Sequence, residues 1–154
     1  MVKGIERVKQ FVTSRGLDAR IVELPSSTRT SQLATEALGC SVAEIAKSLV
    51  FTGGKSVVLV ISGDKRVDIA KLRSLLGKDL QLASAGEVKA VTSYTIGGVP
   101  PFPHEGEVTV YADISLGRFV RVWAAAGEPN AVMNLSVEEL KRTLGTDFID
   151  VAAS

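Results

Sequence analysis

The sequence has little of what metal sites and most hydrolase sites require: its 154 residues include one histidine, His104, and one cysteine, Cys40. A zinc site needs several such ligands, and no closely spaced set of carboxylates suggests a calcium loop, so we expect no metal and no cofactor. A single cysteine cannot form an internal disulfide, which is typical of a reducing compartment. We interpret Cys40 as a small apolar filler rather than a nucleophile.

An excess of charge of either sign is also missing: the chain has 18 Lys and Arg residues and 17 Asp and Glu residues, so its net charge is +1. A protein that coats nucleic acid normally has a strong basic excess, since contacts with phosphates supply much of its affinity. The near-neutral charge therefore excludes extensive coating of nucleic acid. One local basic cluster is either a solvated helix face or a track for phosphates; it consists of Lys65, Arg66, Lys71, Arg73 and Lys78.

Long hydrophobic runs are absent as well, and a stretch such as Val57–Ile61 is far too short to span a bilayer. The first seven residues contain no apolar signal region. We therefore expect a cytoplasmic protein that makes no membrane contact. The length is close to the commonest domain size, so we predict a single domain over residues 1–154.

What is present is an intermixed series of helix and strand patterns. Apolar residues at helical spacing, with Ser or Asp caps and glycine stops, predict helices near 3–15, 30–38, 69–76, 85–91 and 137–144. Extended apolar patterns predict strands near 19–24, 48–52, 56–61, 80–83, 108–111, 118–125, 131–135 and 148–151. Tight turns join several strands, and no regular βαβ repeat occurs. The prediction is an α+β fold with a mixed, largely antiparallel sheet and helices packed around it.

One stretch cannot be explained by packing: Thr95–His104, which reads Thr-Ile-Gly-Gly-Val-Pro-Pro-Phe-Pro-His. Two glycines and three prolines exclude a helix or a central strand. A stiff loop of this composition would present the N–H groups of Ile96, Gly97, Gly98 and Val99. Such groups can bind a carbonyl oxygen or the oxyanion formed when that carbonyl is attacked. A proline-stiffened surface connection without chemistry would have the same composition, so both interpretations stay open.

Most enzyme signatures are missing. No Gly-x-Ser-x-Gly accompanies His104, which we expect on the surface, and neither a phosphate-binding loop nor a dinucleotide-binding glycine pattern occurs. Besides the loop, the remaining candidates are Asp113 at a strand end and Lys47, which we place between a short helix predicted over 41–46 and the strand near 48–52. Apolar neighbours on both sides of Lys47 favour a stem that lies along apolar surface and an ammonium group at the rim of a cavity.

Five stretches, taken together, carry a family resemblance. They read Ile-Ala-Lys-Ser-Leu-Val-Phe (45–51), Ser-Gly-Asp-Lys-Arg-Val-Asp (62–68), Ile-Gly-Gly-Val-Pro-Pro-Phe (96–102), Val-Tyr-Ala-Asp (110–113) and Val-Trp-Ala-Ala-Ala-Gly (122–127). In this order they resemble the YbaK/ProX family of aminoacyl-tRNA deacylases, which are stand-alone relatives of the editing domain of bacterial prolyl-tRNA synthetase. The resemblance covers nearly the whole chain.

This resemblance implies a curved mixed sheet or barrel surrounded by helices, free of metal, that hydrolyses the ester joining a wrong amino acid to the 3′ end of tRNA. Lys47 matches the family's lysine, Gly97–Pro101 its Gly-x-x-x-Pro loop, and Asp113 its strand-end aspartate. The family tyrosine that follows the first helix in some members has no counterpart, since Ile-Val-Glu occupies residues 21–23. That departure argues against a pocket selective for cysteine.

An aminoacyl ester is already activated, so a positioned water and donors for the oxyanion can suffice. We expect the N–H groups of the Gly97–Val99 segment, those of Gly97 and Gly98 included, to hold the carbonyl oxygen. We expect Lys47 to bind the terminal adenosine phosphate or the ester oxygen, and Asp113 to orient Lys47 or the α-amino group. The expected partners are the acceptor end of mischarged tRNA, of the tRNA-Pro class, and a recruiting synthetase. Further expected substrate contacts are Thr30, Ile96, Val99, Pro100, Pro101 and Gly127.

Two other functions fit the same residues. A non-catalytic module could bind an amino acid or aminoacyl-adenosine, or serve as a docking domain on a synthetase, and it would be stabilised by ligand without turnover. A general esterase would use His104. The sequence decides neither the preferred amino acid and tRNA nor the oligomeric state.

Overall fold

A computed structural model of the chain describes residues 4–25 and 31–154, and within them it contains five α-helices and seven β-strands. The helices are α1 (Gly4–Arg15), α2 (Ser31–Leu38), α3 (Ile69–Leu76), α4 (Ala85–Thr92) and α5 (Val137–Leu144). The strands are β1 (Ala19–Glu23), β2 (Ile45–Thr52), β3 (Ser56–Ser62), β4 (Gln81–Leu82), β5 (Val108–Ala112), β6 (Arg121–Ala125) and β7 (Ala131–Ser136). Two 3-10 helices, Val42–Glu44 and Ile114–Arg118, precede β2 and follow β5.

All seven strands belong to one sheet in the order β1-β7-β6-β2-β3-β5, with β4 paired to β2 off this path. Four strand pairs are antiparallel, namely β1·β7, β6·β7, β2·β3 and β2·β4, whereas β2·β6 and β3·β5 are parallel. The predicted mixed, largely antiparallel sheet is therefore confirmed. Strands β1 and β5 form its two edges, so the sheet is open rather than closed into a barrel.

The interior strand β3, which lies between β2 and β5, separates two apolar clusters. Val58 and Val60 face the larger cluster, which also holds Val8 of α1 and Val88 of α4. The alternate residues of β3 face the smaller cluster, in which Leu72 of α3 packs. Burial on both faces explains why this strand reads as a continuous apolar run. No helix in the described ranges is long and apolar enough to cross a membrane.

Side-chain caps fix the starts of three helices as the sequence predicts. Asp68 accepts a hydrogen bond from the amide of Lys71 at 3.2 Å, and Ser84 accepts one from the amide of Glu87 at 3.2 Å. Ser136 caps α5 in the same way. A cap of this kind typically stabilises a helix by about 1 kcal/mol.

Three predicted segments differ from the structure. Ile45 and Ala46 do not continue a helix; they start β2, because they pair with Trp123 and Ala124 of β6. Lys47 consequently lies within a strand. The strand predicted over 118–125 begins only at Arg121, after a 3-10 turn, and the last predicted strand is reduced to isolated bridges such as Asp113 with Ile149.

Candidate functional site

A cavity of about 180 Å³ lies between β2, β6, α2 and the glycine-proline loop. Strands β2 and β6 are paired only at Ile45–Trp123 and Ala46–Ala124, and the residues that follow on β2 line the cavity. Lys47 and Ser48 both contribute to its wall, although consecutive strand residues point to opposite faces. The cavity therefore lies against the edge of β2, beyond the point where its pairing with β6 ends.

Lys47 is half-buried and pairs across the β2–β3 ladder with Ile61. Burial lowers the pKa of its ammonium group, and the positive charge of Arg66 lowers that pKa further, while Asp64 acts in the opposite direction. The environment of Lys47 is therefore partly dehydrated and contains one neighbouring charge of each sign. A lysine in such a place interacts more strongly with an incoming anion than one in open water.

Asp64 is held in place by Arg118. The two guanidinium nitrogens of Arg118 donate to the two carboxylate oxygens of Asp64 at 2.7 and 3.1 Å, and this pairing lowers the pKa of Asp64 to about 2. Arg118 also donates to Ser62 Oγ and to the carbonyl oxygen of Ser115. Since the amide of Gly63 donates to the carbonyl oxygen of Ile45, the loop that carries Asp64 and Arg66 is tied to the start of β2.

The glycine-proline loop starts with a tight turn in which the amide of Gly98 donates to the carbonyl oxygen of Thr95 at 2.9 Å. Gly97 occupies the turn position with a φ of +88°, which favours glycine. Gly98 is required for a different reason, because a Cβ there would lie 2.9 Å from the backbone of Glu128. Both glycines thus have structural causes in addition to any chemical role.

The backbone amides of Gly97 and Val99 have no hydrogen-bond acceptor among residues 4–25 and 31–154, and both residues line the cavity. Both belong to the segment whose amides the sequence analysis singled out as possible donors. The expectation for Gly98 has to be corrected. Its amide donates to the carbonyl oxygen of Thr95 within the turn, so it is not available to hold an oxyanion. The structure therefore brings Lys47, Gly97 and Val99 to one cavity, and the chemical roles expected of them stay predictions.

Asp113 requires a second correction. It is fully buried, and its carboxylate accepts hydrogen bonds from the amides of Ser115 and Val151, both at 2.9 Å. It caps the 3-10 helix and is not among the residues that line the cavity. The expected role of orienting Lys47 or a substrate amino group does not fit this geometry, because both carboxylate oxygens are already used by the backbone.

The other expected substrate contacts are distributed around the loop. Thr30 lies outside the described residues. Pro100 and Pro101 are buried behind the turn, and Gly127 binds the loop rather than the cavity, since its amide donates to the carbonyl oxygen of Gly98 at 2.9 Å. Ile96 is 60% exposed and lines an adjacent cavity.

Ser48 is a candidate that the sequence reasoning missed. Its Oγ atom is buried and has no hydrogen-bond partner in the described part of the chain, yet Ser48 borders the cavity beside Lys47. A buried hydroxyl without a partner is costly and needs an explanation. The signal in the sequence was a serine inside the apolar run of β2, next to the candidate lysine.

His104 is not the surface residue that we expected. Its Nε2 atom lies 2.8 Å from the carbonyl oxygen of Pro100, and its ring meets the Tyr94 ring edge-on at 5.6 Å. Burial lowers its pKa, and the nearby charge of Arg7 acts in the same direction. His104 stabilises the base of the loop and does not line the cavity, so the geometry does not support an esterase that uses it.

Cys40 is half-buried, and burial raises the pKa of its thiol, which agrees with its interpretation as an unreactive residue. In the described ranges, no group of three His, Cys, Asp or Glu residues could hold a metal ion.

Comparison with known proteins gives consistent matches. Residues 25–143 match the family model described as an aminoacyl-tRNA editing domain. The chain is 36% identical to the uncharacterized protein YwhH of Bacillus subtilis over 96% of both chains. It is also 32% identical to a proline–tRNA ligase of Nitratidesulfovibrio vulgaris; that match covers 73% of this chain but only 21% of the ligase.

A solved structure described as a candidate trans-editing enzyme for prolyl-tRNA synthetase superimposes with a TM-score of 0.92. It is 36% identical to this chain, and the match covers 100% of this chain and 99% of that one.

Proposed function

The chain belongs to the aminoacyl-tRNA editing domain family, and we propose that it is a trans-editing deacylase that hydrolyses the ester bond of mischarged tRNA. It is a trans-editing-type domain related to the editing domain of prolyl-tRNA synthetase. The observation that carries the proposed chemistry is the shared cavity, which is lined by Lys47, Gly97 and Val99; the amides of the last two have no acceptor among the described residues.

In the proposed reaction, water attacks the ester carbonyl carbon, and the two amides hold the oxyanion that develops on the carbonyl oxygen. The carbon–oxygen bond to the ribose then breaks, and the proton lost by the water passes to the leaving ribose oxygen. Lys47 supplies positive charge for the ester oxygen or the adjacent phosphate. No protein nucleophile is needed, because an aminoacyl ester is already activated.

The volume and lining of the cavity favour a small acyl group. Its lining includes the small side chains of Ala34, Ala124 and Ala125, and a volume of about 180 Å³ leaves little room for a large side chain. We therefore propose that small amino acids attached to tRNA of the proline class are the substrates. Binding to tRNA places the proposed activity in the cytoplasm, where aminoacylated tRNA is used.

The net charge of +1 supports contact with the acceptor end alone. A protein that neutralises few phosphates shows a shallow dependence of affinity on salt. Recruitment by a synthetase would then supply the affinity that the charge does not. A steep salt dependence, equivalent to many phosphate contacts, contradicts this part of the proposal.

The test is deacylation of tRNA-Pro carrying alanine, cysteine, serine, threonine or proline. Lys47→Ala is expected to lower the rate about a hundredfold or more without lowering the melting temperature. Lys55→Ala is the matched control, because Lys55 is exposed in the β2–β3 turn and does not line the cavity. Wild-type turnover by Lys47→Ala contradicts the mechanism. Thermal stabilisation by aminoacyl-adenosine without turnover by the wild-type protein favours the non-catalytic binding module instead.

A further inference from the structure

Two side-chain hydrogen bonds hold the proline-rich part of the glycine-proline loop. Pro100, Pro101 and Pro103 have no backbone N–H group, so this segment has few donors of its own. Tyr94 Oη donates to the carbonyl oxygen of Pro103 at 2.7 Å, and His104 Nε2 lies 2.8 Å from the carbonyl oxygen of Pro100. Side chains at the base of the loop therefore hold the carbonyl oxygens at both ends of the segment.

The contact with Pro100 decides where the hydrogen of the His104 ring lies. A carbonyl oxygen can only accept a hydrogen bond, so Nε2 carries the hydrogen and donates it. The other ring nitrogen, Nδ1, is buried and has no partner in the described residues. In the neutral ring Nδ1 is an acceptor, whereas in the protonated ring it is a second, charged donor. A charged donor that is buried without an acceptor is much more costly, so this site favours the neutral ring.

Arg7 of α1 places a positive charge beside the same aromatic ring. Its guanidinium carbon lies 5.1 Å from the centroid of the Tyr94 ring, which His104 meets edge-on at 5.6 Å. Glu105 belongs to the same cluster, since its carboxylate lies 3.7 Å from Arg7 Nε. Burial lowers the pKa of His104, and the charge of Arg7 lowers that pKa further. A second cation at His104 would therefore be repelled by the first.

We propose that His104 in its neutral form is a positioning residue of the deacylase, a proposal that rests on the function above. Its Nε2–H group holds the carbonyl oxygen of Pro100, and the fixed φ of proline leaves few bond rotations between that oxygen and the amide of Val99. The ring thereby keeps this amide in place at the cavity wall, although His104 itself does not line the cavity. Protonation would drive the ring away from Arg7 toward water and release the loop.

The first experiment measures kcat and KM per folded molecule at about pH 7.5, where the ring is neutral. Misplacing an oxyanion donor slows the chemical step, so His104→Ala should lower kcat about tenfold or more and change KM less than about twofold. His104→Gln should recover most of the loss, because its side-chain amide can donate to the same carbonyl oxygen. Wild-type kcat per folded molecule in His104→Ala means a role in folding alone and overturns the proposal.

The second experiment follows kcat as the pH falls from about 7.5 to about 5. Because the folded-state pKa of His104 is lowered, the neutral ring persists below the ordinary pKa of about 6.5. Below the folded-state pKa, kcat should fall by up to about tenfold per pH unit, and His104→Gln should lack this decrease. The α-amino group of the substrate titrates equally with both proteins, so the difference between the two profiles belongs to His104. Identical profiles overturn the proposal.

Arg7→Gln tests the direction of the effect. Removing the charge of Arg7 should raise the pKa of His104 and move the decrease in kcat to higher pH. Arg15→Gln is the matched control and should leave the profile unchanged, because Arg15 lies in the same helix with its guanidinium carbon 4.7 Å from the centroid of the Phe11 ring. A profile that Arg7→Gln leaves unchanged, or moves to lower pH, overturns the proposed coupling.

NMR of the protein without substrate tests the proposal independently of turnover. Long-range ¹H–¹⁵N spectra should show the Nε2–H tautomer of His104, and the amide signals of Gly97 and Val99 should shift as its ring titrates. The control is the amide of Gly145, which donates to the carbonyl oxygen of Lys141 at 3.0 Å and should not follow this titration. An Nδ1–H tautomer, or loop amides that do not follow the titration, overturns the proposal.

The positioning role and the deacylase function can fail separately. Loss of activity in Lys47→Ala, together with the same pH profile in the wild type and His104→Gln, refutes the positioning role alone. Loop amides that follow the titration of His104 in a protein that deacylates no tRNA refute the hydrolysis and support the positioning role.

Discussion

The backbone amide of Gly127 donates a hydrogen bond of 2.9 Å to the carbonyl oxygen of Gly98. Gly127 is itself packed against the first residue of α1, because a Cβ on Gly127 would lie 2.4 Å from the backbone of Gly4. The glycine-proline loop thus packs backbone to backbone on the segment at Gly127 and Glu128, and that segment packs in turn on the start of α1, in both places more closely than side chains allow. This rigidity holds the amides of Gly97 and Val99 in place at the cavity.

Replacing Gly98 by alanine should destabilise the protein and lower deacylation, because the new Cβ would lie 2.9 Å from the backbone of Glu128. The control is Gly86→Ala in α4, where a Cβ meets nothing within 4 Å. That change should stabilise the protein by about 0.5 to 1 kcal/mol, since alanine is a better helix former than glycine. Urea denaturation checks both signs, and equal stability changes in the two variants contradict the packing explanation.

Asp113→Asn should cost about 1 to 3 kcal/mol of stability, because an amide nitrogen would face one of the two backbone N–H groups that the carboxylate now accepts. The activity of the folded fraction should stay near that of the wild type. Chemical denaturation and deacylation on the same samples measure the two effects. Asp79→Asn, at an exposed aspartate, is the control and should change stability by less than about 0.5 kcal/mol. A stable but inactive Asp113→Asn variant would show that Asp113 takes part in catalysis after all.

His104 should make folding stability depend on pH. Its pKa is lowered in the folded state by burial, so the unfolded chain binds more protons below the ordinary histidine pKa of about 6.5. Stability is therefore complete above that pH and decreases as the pH falls toward the folded-state pKa, by at most about 1.4 kcal/mol per pH unit.

Urea denaturation between about pH 7 and pH 5 measures this slope, and the assignment is simple because the chain has one histidine. His104→Gln removes the titrating group and should flatten the profile in that range. An unchanged slope in the variant would assign the effect to other groups.

The ammonium pKa of Lys47 should respond in opposite directions to its two charged neighbours. Arg66 lowers the pKa of Lys47, so Arg66→Gln should raise this pKa. Asp64 raises the pKa of Lys47, so Asp64→Asn should lower it. The assigned ¹³Cε signal of Lys47, followed through an alkaline titration, reports both shifts. Shifts of the same sign would mean that the substitutions act by moving the loop rather than through charge.

Local sequence signals were enough for most helices and strands. Asp68, Ser84 and Ser136 each start a helix because a short polar side chain can accept the first free amides, an effect that involves neighbours in the chain only. The segment around Lys47 was misplaced because its conformation depends on pairing with β6, which is distant in the sequence. Competition between a local turn and a distant partner strand cannot be resolved from periodicity.

By itself, the sequence determined the mixed sheet, the stiff loop and the two residues, Lys47 and Gly97, most in need of an explanation. Only the tertiary structure decided which groups at the site are free. The amide of Gly98 is used by a turn, and the carboxylate of Asp113 accepts from two backbone amides. The buried hydroxyl of Ser48, in contrast, has no partner in the part of the chain that the structure describes. The reason is physical: residue type sets what a group can donate or accept, but its availability depends on which other groups the fold brings within hydrogen-bonding distance.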